Sequence, residues 1–354
     1  MRPPAAFVIM AGGRGERLWP LVRAERPKVC LAIDGASTLL EVTLKRLQPL
    51  ANNANLLIVT TAPQANAVRK VLPPALKARL LVEPQARNTA ACIALAASVL
   101  AHRDPGLVMA VFPADHWIKP TTAFHRSLLA AIEAAHAGDR LVTIGIKATR
   151  VQPGLGHLCV GTRLGTQRGC RIFRLRRFVE KPSAQRARQL LQGRTYWNAG
   201  MFVGRVRTFL DLIRQWLPDH AKALVPLGEL AGQSGFARRA RAAYQRLRAI
   251  SFDDGVMAHL KEGYVVEGGF DWEDLGGWES WVRVSPMARA ALTIRGDNIG
   301  VVSPKRHLVA TVGLRDAVVV HTPDATLICR TKDAQAVRAL VTRLAHDQRL
   351  SRYL

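Results

Sequence analysis

Short apolar runs alternating with longer stretches of helical spacing set the pattern of the first half of the chain. Ala6 to Met10 is a continuous apolar run of strand length, suited to burial on both faces. Leu39 to Leu50 reads as a helix opened by Ser37 or Thr38, and Leu56 to Thr60 as the next strand. The alternation then repeats through a helix at Asn66 to Leu72, a short strand at Leu80 to Val82, a helix at Thr89 to His102 with Asn88 as its N-cap, and a strand at Leu107 to Phe112. Phe124, Leu128, Ile132 and Ala135 share one helical face ahead of a strand at Leu141 to Ile146. Strands joined by crossover helices predict an α/β fold with a doubly wound, Rossmann-like sheet.

The pattern breaks up between Val151 and Pro286, where Pro153-Gly154 and Asp253-Asp254-Gly255 punctuate what reads as short strands. An insertion closing over the sheet and facing the substrate is expected there. Past Pro286 come β-branched runs, Ile299 to Val302, Leu308 to Val312, Ala317 to Val320 and Thr326 to Cys329, closed by a helix from about Ala334 to Ala345. The expected organisation is one large unit over 1–285 and a small β-rich module over 286–354.

Composition refines this picture only in places. At 354 residues the chain is too long for one small core, and an apolar fraction of 49% with mean hydropathy +0.04 suits a globular protein. The first apolar run is too brief for a secretory segment or a membrane span. Five scattered cysteines without CxxC spacing suggest neither a disulfide framework nor a zinc site, so a reducing cytoplasm is expected.

Charge changes the picture more. A formal net charge of +25 calls for anionic partners, and by itself it leaves open nucleic acid, a nucleotide with a sugar phosphate, or a merely solvated surface. Nucleic acid is disfavoured, because no nucleic-acid motif accompanies the arginine clusters and aromatics amount to 6%.

The sharpest feature follows the first strand. Gly12-Gly13-Arg14-Gly15 offers bare backbone N–H groups to an anion, and Arg14, Arg17 and Lys28 supply cations along a path stiffened by Pro20 and Pro27. The run lacks the GK[ST] ending of a P-loop, and Leu18 stands where a dinucleotide fingerprint has its third glycine. Further on, Asp115 ends a predicted strand at the edge where such sheets bind ligands and suits Mg²⁺, or caps the next segment. Asn88 and Thr89 serve as a helix cap on local grounds alone.

The run GGRGERLWPLVRAERPK resembles the signature of the sugar-phosphate nucleotidyltransferases, and its RLWPL variant resembles the mannose-1-phosphate guanylyltransferases. The resemblance extends from about Phe7 to Thr331 and implies a catalytic domain followed by a short β-helix-like module. It implies that Gly12, Gly13, Arg14, Gly15, Arg17 and Lys28 hold the triphosphate of GTP, and that Arg87, Asn88 and Thr89 of EPQARNTA lie near base or ribose. Asp115 of PADH and Asp274 of WEDLGGW become ligands of Mg²⁺. Glu180 and Lys181 of FVEKP, Asn198 of WNAGMF, Gly156, and more loosely Asp253, become the site for mannose 1-phosphate.

The implied reaction transfers GMP to mannose 1-phosphate and releases pyrophosphate, with a homodimer as an open option for assembly. Departures from the family pattern fall at Val29-Cys30-Leu31, at Leu155-Gly156-His157-Leu158 where YGYI is usual, and at Ala91, Asp254, Ala258 and Gly277. They bear on the sugar more than on nucleotidyl transfer. A different sugar 1-phosphate, such as glucose or a heptose, is the alternative within the enzyme class, and a non-catalytic polyanion-binding relative is the alternative outside it.

Overall fold

The computed structural model describes residues 4–285, 289–290, 292–304 and 307–354. The module start expected at Pro286 lies outside the described residues.

Among the described residues eleven strands precede it: β1 (Ala5–Met10), β2 (Leu56–Thr61), β3 (Leu80–Glu83), β4 (Val108–Pro113), β5 (Trp117–Lys119), β6 (Leu141–Lys147), β7 (His157–Gln167), β8 (Cys170–Val179), β9 (Thr195–Arg205), β10 (Gly263–Gly268) and β11 (Asp271–Glu273). Nine of them form one mixed sheet in the order β3-β2-β1-β4-β9-β6-β10-β8-β7. Strands β1 to β4 are mutually parallel, and β9 runs antiparallel between β4 and β6. Helices on both faces cover these strands, which explains their unbroken apolar runs.

The helix Asn88–Ala101 lies on one face and is buried continuously from Ala90 to Leu100. On the other, the helices Leu39–Leu47 and Thr121–Ala137 pack through Leu40, Leu44 and Leu47 and through Phe124, Leu128, Ile132 and Ala135, the face read from the sequence. Thr38 caps the first of these with a full capping box to Glu41.

Three expectations require correction. The segment after Val151 is not an insertion of short strands; β7, β8 and β9 run 11, 10 and 11 residues and complete the main sheet. Asp253-Asp254-Gly255 is no turn between strands either, but part of a short helix Phe252–Gly255 capped by Ser251. Asn88 is also not an N-cap: it is the first helical residue, with φ of 66°, and its Oδ1 accepts from Thr89 N. The start of that helix is plugged from afar, by Phe252 N donating to Thr89 Oγ1 and Ala90 N donating to Ile250 O.

The C-terminal part contains β12 (Arg289–Ala290), β13 (Leu292–Ile294), β14 (Asp297–Val302), β15 (Ala310–Val312), β16 (Arg315–His321) and β17 (Thr326–Arg330). Parallel ladders β14–β16 and β13–β15 repeat at a spacing of 18 residues, as stacked coils of a β-helix do. A 3₁₀ segment Thr331–Ala336 and the helix Val337–His346 then turn back onto the glycine loop that follows β1. Their buried Ala334, Val337 and Leu344 share a third core with Leu18, Trp19, Leu275, Trp278 and Trp281. Among the described residues no helix is long and apolar enough to cross a membrane.

Candidate active site

Parallel strands β3, β2, β1 and β4 end at a common edge, and the chain leaving each end contributes to the site. Ala11 N donates to Val59 O at 2.7 Å, Thr60 Oγ1 to Ala11 O at 2.8 Å, and Ala114 N to Met10 O at 3.0 Å, which pins the exit of β1 between its neighbours. Gly12 presses against the end of β2, and a side chain there would come within 3.2 Å of Thr61 Cγ2. Gly15 is left-handed at φ 67° and sits where any Cβ would meet Lys28 Cβ at 2.5 Å. Glycine is therefore needed at 15 on both counts. The loop then closes a 3₁₀ turn, Glu16–Leu18, anchored by buried Leu18.

Strands β5 and β11 form a two-stranded ribbon that carries the segment after β4 to the segment after β11. Lys28, 5% exposed, reaches the meeting point: its ammonium donates to Asp115 Oδ2 at 2.5 Å and to the Asp274 carbonyl at 3.1 Å. Burial pushes the Asp115 carboxyl up, but the Lys28 ammonium helps to outweigh this and holds it below the ordinary carboxylate range. His116, buried beside both aspartates, is pushed down to about 4 by desolvation and accepts at Nδ1 from Trp272 Nε1. Arg17 Nη1 donates to Gly276 O at 3.5 Å, so Lys28 and Arg17 grip the same 274–276 segment. Arg14 is 74% exposed and pairs with Glu16.

A second group gathers on β9 and its neighbours. Asn198 Nδ2 donates to Asp253 Oδ1 at 2.6 Å, while its Oδ1 accepts from Thr143 Oγ1 and Gly200 N. Burial, with Glu180 nearby, pushes the Asp253 carboxyl up to about 7. Lys181 pairs with Glu180 at 3.0 Å. Gly156 lies under these groups, where a Cβ would come within 2.8 Å of Glu180 Oε2 and 2.7 Å of the Phe178 ring. A Cβ on Gly200 would lie 3.8 Å from Pro113, so this group abuts the end of β4 that leads to Asp115.

The residues expected near the base are held by internal partners. Arg87 Nε donates to Tyr244 O at 2.8 Å, and Thr89 accepts from Phe252 N. Sequence reasoning passed over Glu83, which opens the same motif. It is 3% exposed at the end of β3, accepts from Tyr244 Oη at 3.0 Å, and presents Oε2 3.7 Å from where a Cβ on Gly12 would stand. Burial pushes its carboxyl up to about 8, against the pull of the Tyr244 hydroxyl. One further group went unread, Gln64, which donates to Gly13 O and whose buried Oε1 has no partner among the described residues; His157, read only as part of the altered 155–158 edge, is buried with an Nε2 that likewise has none among them. Their signals in the sequence were too short to stand out: an acid before proline, a glutamine in a 3₁₀ turn after β2, and a histidine that opens β7.

The sequence matches the nucleotidyl transferase family over residues 6–290. The chain belongs to this family. Residues 296–344 match a mannose-phosphate isomerase/GMP-like β-helix domain. The nucleotidyl transferase is 34% identical to a putative mannose-1-phosphate guanylyltransferase of Vibrio cholerae, over 97% of this chain and 75% of that one. It is 33% identical to a mannose-1-phosphate guanylyltransferase of Salmonella muenchen, over 97% and 74%. A crystal structure from Thermus thermophilus, described as a mannose-1-phosphate geranyltransferase, superposes with a TM-score of 0.83 at 33% identity, covering 97% of this chain and 99% of that one.

Proposed function

We propose that this nucleotidyl transferase moves GMP from GTP to mannose 1-phosphate, giving GDP-mannose and pyrophosphate. The observation that carries the reading is the meeting of Lys28, Asp115 and Asp274 at the mouth of a glycine loop, in a chain about one-third identical to named guanylyltransferases.

In this reading, the N–H groups of the 12–15 loop and the guanidinium of Arg17 take the triphosphate. Glu83 supports guanine as the base: a carboxylate accepts from both N1–H and the N2 amino group, a donor pair that adenine lacks on that edge. Glu180, Lys181 and Asn198, with Asp253, take the sugar phosphate.

Asp115 and Asp274 suit Mg²⁺ as hard oxygen donors, the first kept ionised by Lys28. Among the described residues no cluster of three His, Cys, Asp or Glu could hold a metal alone. Phosphate oxygens and water would complete the shell of an ion held there. When bound, Mg²⁺ supplies charge neutralisation between the two anionic substrates.

A phosphate oxygen of mannose 1-phosphate attacks the α-phosphorus in line. The new P–O bond forms as the bond to the β-bridging oxygen breaks, and pyrophosphate departs with that electron pair. No general base is required, because a phosphate monoester with a second pKa of about 6 is already a dianion at neutral pH. The protein's task is to align two anions and offset their repulsion.

A panel crossing four nucleoside triphosphates with mannose, glucose and heptose 1-phosphates, read by pyrophosphate release with and without Mg²⁺, tests the reading. GTP with mannose 1-phosphate should be fastest, and Asp115→Ala and Asp274→Ala should each lose roughly a hundredfold or more in kcat with the fold intact. Near-normal turnover in both variants would remove the metal assignment; a different best pair would replace the substrates.

A further inference from the structure

The phosphate loop does not stand alone at the sheet edge: the C-terminal segment packs against it through several contacts. Trp19 Nε1 donates to Tyr353 O at 2.7 Å, Arg23 pairs with Asp324 at 2.9 Å, and buried Ala334 and Val337 sit in one core with Leu18 and Trp19. Gly277, next to the segment gripped by Arg17, has Arg17 on one side and Gln335 of the C-terminal segment on the other. A Cβ there would lie 3.9 Å from Arg17 Cβ and 3.6 Å from Gln335 Nε2.

One charged group of the C-terminal helix reaches the loop itself. Arg338, at i+3 from Gln335, places Nε 3.4 Å from Glu16 Oε2, while the other oxygen of Glu16 takes Arg14 Nη1 at 3.4 Å. Glu16 thus holds one cation from the loop and one from the far end of the chain, immediately between left-handed Gly15 and Arg17. The two arginines are 74% and 68% exposed, and such ion pairs contribute little to stability. Pairs this weak leave both guanidiniums available to a more highly charged anion in the same loop.

We propose that the C-terminal helix completes the anion site: Arg338 joins Arg14 on the β- and γ-phosphates that leave as pyrophosphate, and Glu16 is the placeholder counter-ion they give up. This rests on the nucleotidyl-transfer reading and adds to it a residue that no loop motif contains. A monovalent, partly covered carboxylate keeps two flexible guanidiniums near the loop before the nucleotide arrives, which lowers the ordering cost of recruiting them. The assignment also gives the module a reason to pack where it does, since a helix displaced from the loop would take Arg338 with it.

The test uses the full chain and pyrophosphate as the probe. In the reverse reaction, GDP-mannose plus pyrophosphate, Arg338→Ala should raise the KM for pyrophosphate roughly five- to tenfold and leave the KM for GDP-mannose unchanged, with Arg338→Lys recovering most of the loss. Glu16→Gln should act oppositely and lower the pyrophosphate KM, because the competing carboxylate is gone. Calorimetric titration of the same variants with pyrophosphate and Mg²⁺ reads the site without turnover. If the chain made no sugar nucleotide yet bound pyrophosphate in an Arg338-dependent way, the reaction assignment would fall and this one would stand. Unchanged pyrophosphate affinity in Arg338→Ala and Glu16→Gln, both folded, would overturn it.

Discussion

Glu83 exemplifies a residue whose role depends on where the fold puts it. Its sequence neighbours, Arg87, Asn88 and Thr89, drew attention as polar groups at a helix start, yet the fold uses Arg87 and Thr89 to tie down distant segments and leaves the acid facing Gly12. Its pKa of about 8 sets a pH dependence. In the proposed reading only the ionised carboxylate accepts both guanine donors, so GDP binding should tighten as pH rises through about 8 and level off roughly one unit above it. This window clears the phosphate titration near pH 6. Glu83→Gln should flatten the profile and remove most of the preference for GDP over IDP, which lacks the N2 amino group, a loss of roughly tenfold.

The same shift acts on stability with a definite sign. A carboxyl raised from 4.5 toward 8 takes up a proton on folding, so its favourable contribution is complete below pH 4.5 and is lost as pH rises through about 8. Between pH 6 and 9 the wild-type Tm should therefore fall more steeply than that of Glu83→Gln. Equal slopes, or a profile for GDP that ignores the substitution, would detach Glu83 from the base.

At the scale of elements, the 12–28 loop makes a sharp distinction between two glycines. Gly15→Ala must adopt a left-handed backbone and drive its Cβ into Lys28, so it should cost about 1–2 kcal/mol of stability and displace the lysine that holds Asp115. Gly13 has nothing within 4 Å of a Cβ, so Gly13→Ala should leave the melting temperature unchanged. Paired thermal melts decide this; equal destabilisation would mean the loop is strained for some other reason.

These elements were legible in unequal measure. Strands β1 to β4 could be read because burial on both faces makes them unbroken apolar runs. The 12–28 loop could be read because its glycines and cations fall within one seventeen-residue run. The strands β7 and β8 were hidden by arginines and glycines on their exposed face, as in Arg171, Arg174 and Arg176 alternating with buried Ile172 and Leu175. The start of the helix at Asn88 was misread because its N-terminal turn is tied to Ile250 and Phe252, far along the chain. No local pattern encodes such a partner. The pair of aspartates was readable only through the family motif, since the ribbon of β5 and β11 that joins them is made of three-residue strands.

Across the whole molecule, the cores divide the labour. Two lie on opposite faces of the nine-stranded sheet, and the third binds the 12–28 loop to the WEDLGGW turn, the β-helix coils and the C-terminal helix. Loop order should therefore depend on residues at the far end of the chain, while the sheet should not. Val337 is 3% exposed in the third core, and Val337→Asp buries an unpaired charge there, at a cost of about 3–5 kcal/mol. Because the sheet keeps its own two cores, the expected result is local: amides of residues 12–31 lose protection from hydrogen exchange while those of β4 keep theirs. The kcat/KM for GTP should fall in step with the loop amides, by roughly tenfold or more. Uniform loss of protection would make the molecule one cooperative unit, and unchanged loop exchange with full activity would mean that the loop holds itself.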